Sequence, residues 1–101
     1  MSDFDYIIVG GGSSGATLAG RLTADPSVKV LLLEAGPSDG SLKIKVPLGY
    51  GSLFYDQKYN WKYETEPEPE LKGRRMYWPR GKVLGGSSAI NAMVYVRGHP
   101  N

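Results

Sequence analysis

The chain has 101 residues, 41% of them hydrophobic, a formal net charge of +2 and no cysteine. That composition suffices for a core in at most one small domain. The charge is too small to argue for nucleic acid, and the missing cysteines exclude disulfides, thiolate catalysis and cysteine-held metals. His99 is the only histidine, so a metal cluster is not expected either.

Asp3 and Asp5 precede the first apolar run, where a secretory leader would need basic residues, and no apolar stretch is long enough to span a bilayer. The expected location is cytoplasmic, with peripheral contact to an inner membrane left open. Residues 4–9 then read as a buried strand, 13–24 as an amphipathic helix (Ala16, Leu18, Ala19, Leu22) and 28–34 as a second strand. Asp25-Pro26-Ser27 supplies the turn between helix and second strand.

The first strand runs directly into Gly10-x-Gly12-x-x-Gly15, and the second closes on Glu34, nineteen residues beyond Gly15. This is the layout of a dinucleotide-binding βαβ unit. Gly10 permits the tight turn, Gly12 lets the backbone approach a pyrophosphate, and Gly15 lets the helix pack on the strands. Free N–H groups and the positive dipole end of the helix attract phosphates. Ser13 and Ser14 add hydroxyls and potential capping there. An acid at position 34 accepts hydrogen bonds from a ribose diol and repels a 2′-phosphate, which disfavours NADP. Between FAD and NAD this unit decides little.

From residue 36 the pattern loosens. Gly36-Pro37-Ser38-Asp39-Gly40 and Gly49-Tyr50-Gly51 interrupt it, as in a lid or insertion. Residues 61–66 alternate aromatic and polar like a half-buried strand, until Pro67 and Pro69 exclude a central position. Residues 72–75 form a turn and 76–79 a short return strand. The glutamates at 64, 66, 68 and 70 face five basic residues between Lys72 and Lys82, which reads as a charge-paired hairpin.

A second glycine cluster follows. Gly85-Gly86-Ser87-Ser88 leads into Ala89-Ile90-Asn91-Ala92-Met93, which reads as a loop entering a helix N-terminus. Two phosphate-friendly helix starts in one chain point to a single long cofactor that meets both. NAD would need only the first; a cofactor with a large second ring system would give the second something to hold.

With these residues in view, the chain resembles the glucose-methanol-choline (GMC) flavoprotein oxidoreductases over essentially its whole length. The resemblance rests on residues 5–12 with 31–36, on Tyr59-Asn60-Trp61-Lys62-Tyr63-Glu64-Thr65-Glu66-Pro67, and above all on Pro79-Arg80-Gly81-Lys82 through Arg97-Gly98. Within the family it is most similar to bacterial choline dehydrogenases and related alcohol dehydrogenases. The resemblance implies FAD in an extended form. Gly10, Gly12, Ser13, Ser14 and Gly15 would hold the diphosphate, and Glu34 the adenosine ribose with Ala35 beside it. Arg80, Gly81, Val83, Gly85 and Gly86 would line the cofactor's middle, and Asn91, Ala92, Met93 and Val94 would run along the flavin.

Some members attach the flavin through a histidine just before the signature's asparagine. That position here is Ile90, so noncovalent FAD is expected, and His99 reads as a solvated loop residue. The resemblance also implies a small-molecule alcohol such as choline as substrate, and a quinone-type acceptor or oxygen for reoxidation. It puts the catalytic histidine in a C-terminal region outside these residues, so no catalytic residue is assigned. The expected architecture is an incomplete α/β domain: a Rossmann-like βαβ FAD-binding unit (about 4–35), a hairpin and loop excursion (36–79) and the signature loop leading into a helix (80–98). An NAD-dependent dehydrogenase fragment and a non-catalytic FAD-binding fragment are the alternatives.

Overall fold

Two short parallel strands begin the fold, β1 (Tyr6–Val9) and β2 (Val30–Leu33), joined by helix α1 (Ser13–Leu22). The computed structural model describes residues 3–100. Ile7 pairs with Leu31 and Val9 with Leu33, and the ladder runs on where the Gly10 N–H donates to the Leu33 carbonyl at 2.7 Å. Both strands are apolar, as a parallel pair with helices on its faces requires. β1 begins two residues later than the hydrophobic pattern predicts and ends where expected, before Gly10 turns (φ +100); β2 begins two residues later and ends one earlier, where Glu34 leaves the ladder.

Helix α1 is flanked by Gly12 as N-cap and by Thr23 as C-cap, whose N–H donates to the Ala19 carbonyl. The Asp25 carboxylate then accepts from the Ser27 N–H and hydroxyl, which closes the turn into β2. No residue of α1 is buried, and Ile8 is the one buried apolar residue of the βαβ unit among the described residues. Ile7, Val9 and Leu33 are exposed.

The loosely patterned middle holds two single-turn helices, α2 (Leu42–Lys45) and α3 (Tyr50–Leu53), linked by a 3₁₀ turn at Pro47–Gly49. Ser41 caps α2 by accepting the Lys43 N–H. A hairpin follows, with β3 (Tyr63–Glu64) antiparallel to β4 (Tyr77–Trp78) and bridges at Asn60–Gly81 and Glu68–Arg74. The expected strand over 61–66 is cut to two residues because Lys62 adopts φ 56, outside the extended region. The hairpin has one ion pair among the described residues, Arg75 to Glu66 at 3.9 Å with both side chains exposed. Such a pair contributes little; backbone bonds such as Thr65 N–H to the Met76 carbonyl hold the strands together.

The second glycine cluster departs further from expectation. It enters one turn of 3₁₀ helix, Gly86–Ala89, and no helix runs through 89–93. Two local features end it. The Asn91 side chain accepts the Met93 N–H at 2.8 Å, and Met93 itself is left-handed at φ 58.

The core lies in this second region. Leu53, Tyr59, Val83 and Ile90 pack together, with Ile44 and Ala89 against them. The radius of gyration is 17.0 Å, against about 13 Å for a closed domain of this length. The chain is therefore an open arrangement of the βαβ unit beside a small core.

Candidate cofactor site

The two glycine loops meet. The Gly85 N–H donates to the Gly11 carbonyl at 2.7 Å, and a Cβ added at Gly86 would come within 2.9 Å of the Gly12 Cα. Helix α1 is held equally close to its strand, since a Cβ at Gly15 would lie 1.9 Å from the Gly10 carbonyl oxygen. A Cβ at Gly81 would lie 2.2 Å from the Gly86 carbonyl group. Side chains at these positions would force the walls apart.

Between the walls is a groove of about 530 Å³ lined by Val9, Gly10, Gly12, Leu33, Glu34, Ala35, Trp61, Gly81 and Gly86. Its volume and its mixture of apolar surface with a few convergent polar groups suit a small-molecule cofactor. Glu34 supplies the acidic group. Its two carboxylate oxygens accept the Gly11 N–H at 2.7 Å and the Gly36 N–H at 2.8 Å. These bonds fix the carboxylate and leave a lone pair on each oxygen for a further donor. Gly12 caps α1 with no side-chain bond to the first-turn amides. The capping expected of Ser13 and Ser14 is absent because both fall inside the first turn, where their N–H groups need caps rather than give them.

The residues expected at the site divide among three cavities. Gly10, Gly12, Glu34, Ala35, Gly81 and Gly86 share the groove. Gly85, Asn91 and Met93 line a second cavity of about 280 Å³ beside α2 and α3. Arg80, Asn91 and Ala92 line a third of about 260 Å³. Ser13, Ser14, Gly15, Val83 and Val94 line none of the three. Val83 is wholly buried in the core and Val94 is 77% exposed. The Arg80 guanidinium lies over the Trp78 ring, 4.9 Å from its centroid.

Two residues escape the sequence reading. Trp61, read there as strand, forms part of the groove wall and carries the Lys82 ammonium 4.6 Å from its ring centroid. Asn60 is buried behind it. Both belong to the 59–67 stretch that carries part of the family resemblance, but their place became visible only with the hairpin register, which sets Asn60 opposite Gly81. Titratable groups with displaced pKa values lie away from the groove. The Ser27 hydroxyl holds Asp25 below the ordinary carboxylate value, and the Lys43 ammonium does the same for Asp56. A hydrogen bond from Ser41 lowers Tyr59, and desolvation raises Tyr77.

The family model for GMC oxidoreductases matches residues 4–101, across both glycine loops and everything between them. The chain belongs to the GMC oxidoreductase family. It is 58% identical over 96 residues to an alcohol dehydrogenase [acceptor] of Pseudomonas putida and 54% identical over 104 residues to the mitochondrial choline dehydrogenase of Mus musculus. These alignments cover 95% and 96% of this chain and 17% of each relative. The chain thus spans about a sixth of the length of the curated relatives it matches. Among solved structures, pyridoxine 4-oxidase from Mesorbium loti superposes with a TM-score of 0.86 at 45% identity, over 97% of this chain and 19% of the other. A formate oxidase of Aspergillus oryzae characterised for FAD modification superposes at 0.84 with 41% identity, over 95% of this chain and 17% of the other. As a GMC chain with such neighbours, it carries part of a Rossmann-like FAD-binding unit, and FAD is the cofactor. No helix among the described residues is long and apolar enough to cross a membrane.

Proposed function

We propose that these residues form the adenosine-diphosphate half of a noncovalent FAD site in an oxidoreductase that converts a primary alcohol, such as choline, to its aldehyde. The single observation that carries the reading is the contact between the two glycine loops across Gly12 and Gly86, with Glu34 fixed at the same groove. A nicotinamide dinucleotide gives the second loop no task.

In this reading Gly10 and Gly12 admit the diphosphate to the backbone, where the α1 amides have no side-chain caps. Glu34 accepts from the ribose hydroxyls through its free lone pairs. Trp61 offers a flat apolar wall, Gly81 and Gly86 would line the middle of the cofactor, and the Asn91–Val94 segment would hold its flavin end. Bound FAD supplies a two-electron acceptor for the hydride taken from the alcohol carbon. This chain binds and orients, and the proton-removing base lies in none of the residues discussed. Ile90 is a buried aliphatic side chain, which leaves no nucleophile at the position expected for covalent attachment.

The test is spectroscopic. An oxidoreductase that contains these residues together with its base should carry a flavin absorption band that survives desalting, is released by acid without protein attached, and bleaches anaerobically with choline or a simple primary alcohol. A preparation that ignores FAD and takes up NAD would overturn the cofactor assignment. A flavin unaffected by any alcohol would overturn the substrate class alone.

A further inference from the structure

Asn60 uses every hydrogen-bonding capacity of its side chain. It is 2% exposed. Its Oδ1 accepts the Lys62 N–H at 2.9 Å and the Arg80 N–H at 3.0 Å. Its Nδ2 donates to the Leu53 carbonyl at 3.2 Å and the Phe54 carbonyl at 2.9 Å. An amide offers two acceptor lone pairs and two donors, so Asn60 is saturated. Aspartate lacks the donors and glutamine is too long for the space.

These bonds join the end of α3, the 59–62 segment and the entry to the second glycine loop. The same junction is closed by Trp61 N–H to the Arg80 carbonyl (2.9 Å) and Lys82 N–H to the Tyr59 carbonyl (2.8 Å). Trp61 and Gly81, which flank it, are both groove walls, and Asn60 lines none of the three cavities. The left-handed turn at Lys62, held by Oδ1, lets the chain leave Trp61 without carrying it into the hairpin strand.

We propose that Asn60 is a positioning residue for the cofactor groove: its carbonyl oxygen, by holding the Lys62 and Arg80 amides together, sets the spacing between Trp61 and Gly81. The proposal rests on the FAD reading above and assigns Asn60 no contact with the cofactor. The acceptor half of the amide governs the groove, and the donor half secures α3.

The test compares Asn60→Ala, Asn60→Asp and the core variant Leu53→Ala for FAD dissociation constant, melting temperature and amide exchange at Lys62 and Arg80. Asn60→Ala should weaken FAD binding by about tenfold or more and speed exchange at both amides. Asn60→Asp, which keeps oxygens facing those amides, should melt early yet bind FAD within about threefold of wild type. Leu53→Ala should melt early while leaving FAD affinity within about twofold. Equal FAD losses in Asn60→Ala and Leu53→Ala, or no recovery in Asn60→Asp, would reduce Asn60 to scaffolding and overturn the proposal. If the wild-type protein takes up no FAD, the functional reading fails by itself. Amide exchange then decides separately: acceleration confined to Asn60→Ala supports the junction, and unchanged exchange rejects it.

Discussion

The two halves of this chain divide their work unequally. The βαβ unit has the recognisable glycine motif and the fixed carboxylate, yet buries only Ile8 among its apolar residues. The segment from α2 to Ile90 has an irregular pattern and short elements, yet contains the packed cluster of Leu53, Tyr59, Val83 and Ile90. Recognition chemistry and packing are therefore separable here. The glycine loops are where they touch: Gly11 accepts from Gly85, and Gly12 and Gly86 face each other without side chains.

If packing and recognition are separate, the largest loss of stability should come from the second half and leave binding intact. Leu53 is 1% exposed, and Leu53→Ala should cost about 2–5 kcal/mol, read as a lower urea midpoint. FAD affinity measured where the variant remains folded should barely change. A large affinity loss in the folded variant would show that the core reaches the groove.

The reverse comparison uses two glycines on α1. A Cβ at Gly15 meets the Gly10 carbonyl oxygen, a backbone atom that can move only with the whole turn, whereas nothing lies within 4 Å of a Cβ at Gly20. Gly15→Ala should cost about 1–3 kcal/mol through overpacking and abolish FAD uptake. Gly20→Ala should stabilise by about 0.5–1 kcal/mol through helix propensity, with binding unchanged. Equal effects on the urea midpoint would deny that α1 is pinned at its first turn.

Glu34→Gln sharpens the contrast within the recognition half. It removes the charge and turns an amide NH₂ toward either the Gly11 or the Gly36 N–H. A loss of about 1.5 kcal/mol is expected, seen as FAD binding about tenfold weaker in a fluorescence titration. Unchanged affinity would make the carboxylate a clasp for the two turns rather than a ribose acceptor.

How much of this was legible follows the same division. The strand-turn-helix-strand-acid succession is local, so spacing alone locates Gly10, Gly12, Gly15 and Glu34 on their elements. The second half depends on long-range pairing. Trp61 reads as strand from its neighbours and becomes a groove wall only because residue 60 pairs with residue 81. Val83 belongs to the expected cofactor set by resemblance, and the fold turns its side chain into the core. The helix expected over 89–93 fails on one side-chain bond at Asn91 and one left-handed residue, Met93, neither visible as periodicity.

The smallest effect probes how the second half is fastened. The Lys43 ammonium and the Asp56 carboxylate are 3.0 Å apart, and Asp56 also accepts the Lys58 N–H, joining α2 to the segment that carries Tyr59 and Asn60. The Lys43 bond first, and the Lys58 N–H second, hold the Asp56 pKa below its ordinary value in the folded chain. A depressed acid pKa contributes stability that is present above the unfolded value and disappears as pH falls through the folded one. Wild type should therefore have a higher urea midpoint than Asp56→Asn near neutral pH, by an amount equivalent to about 0.5 kcal/mol. The gap should close as pH drops below about 4. Salt should narrow it too, because the Lys43 side chain is more than half exposed. A gap of the same size in acid would deny that the Lys43–Asp56 ion pair is its source.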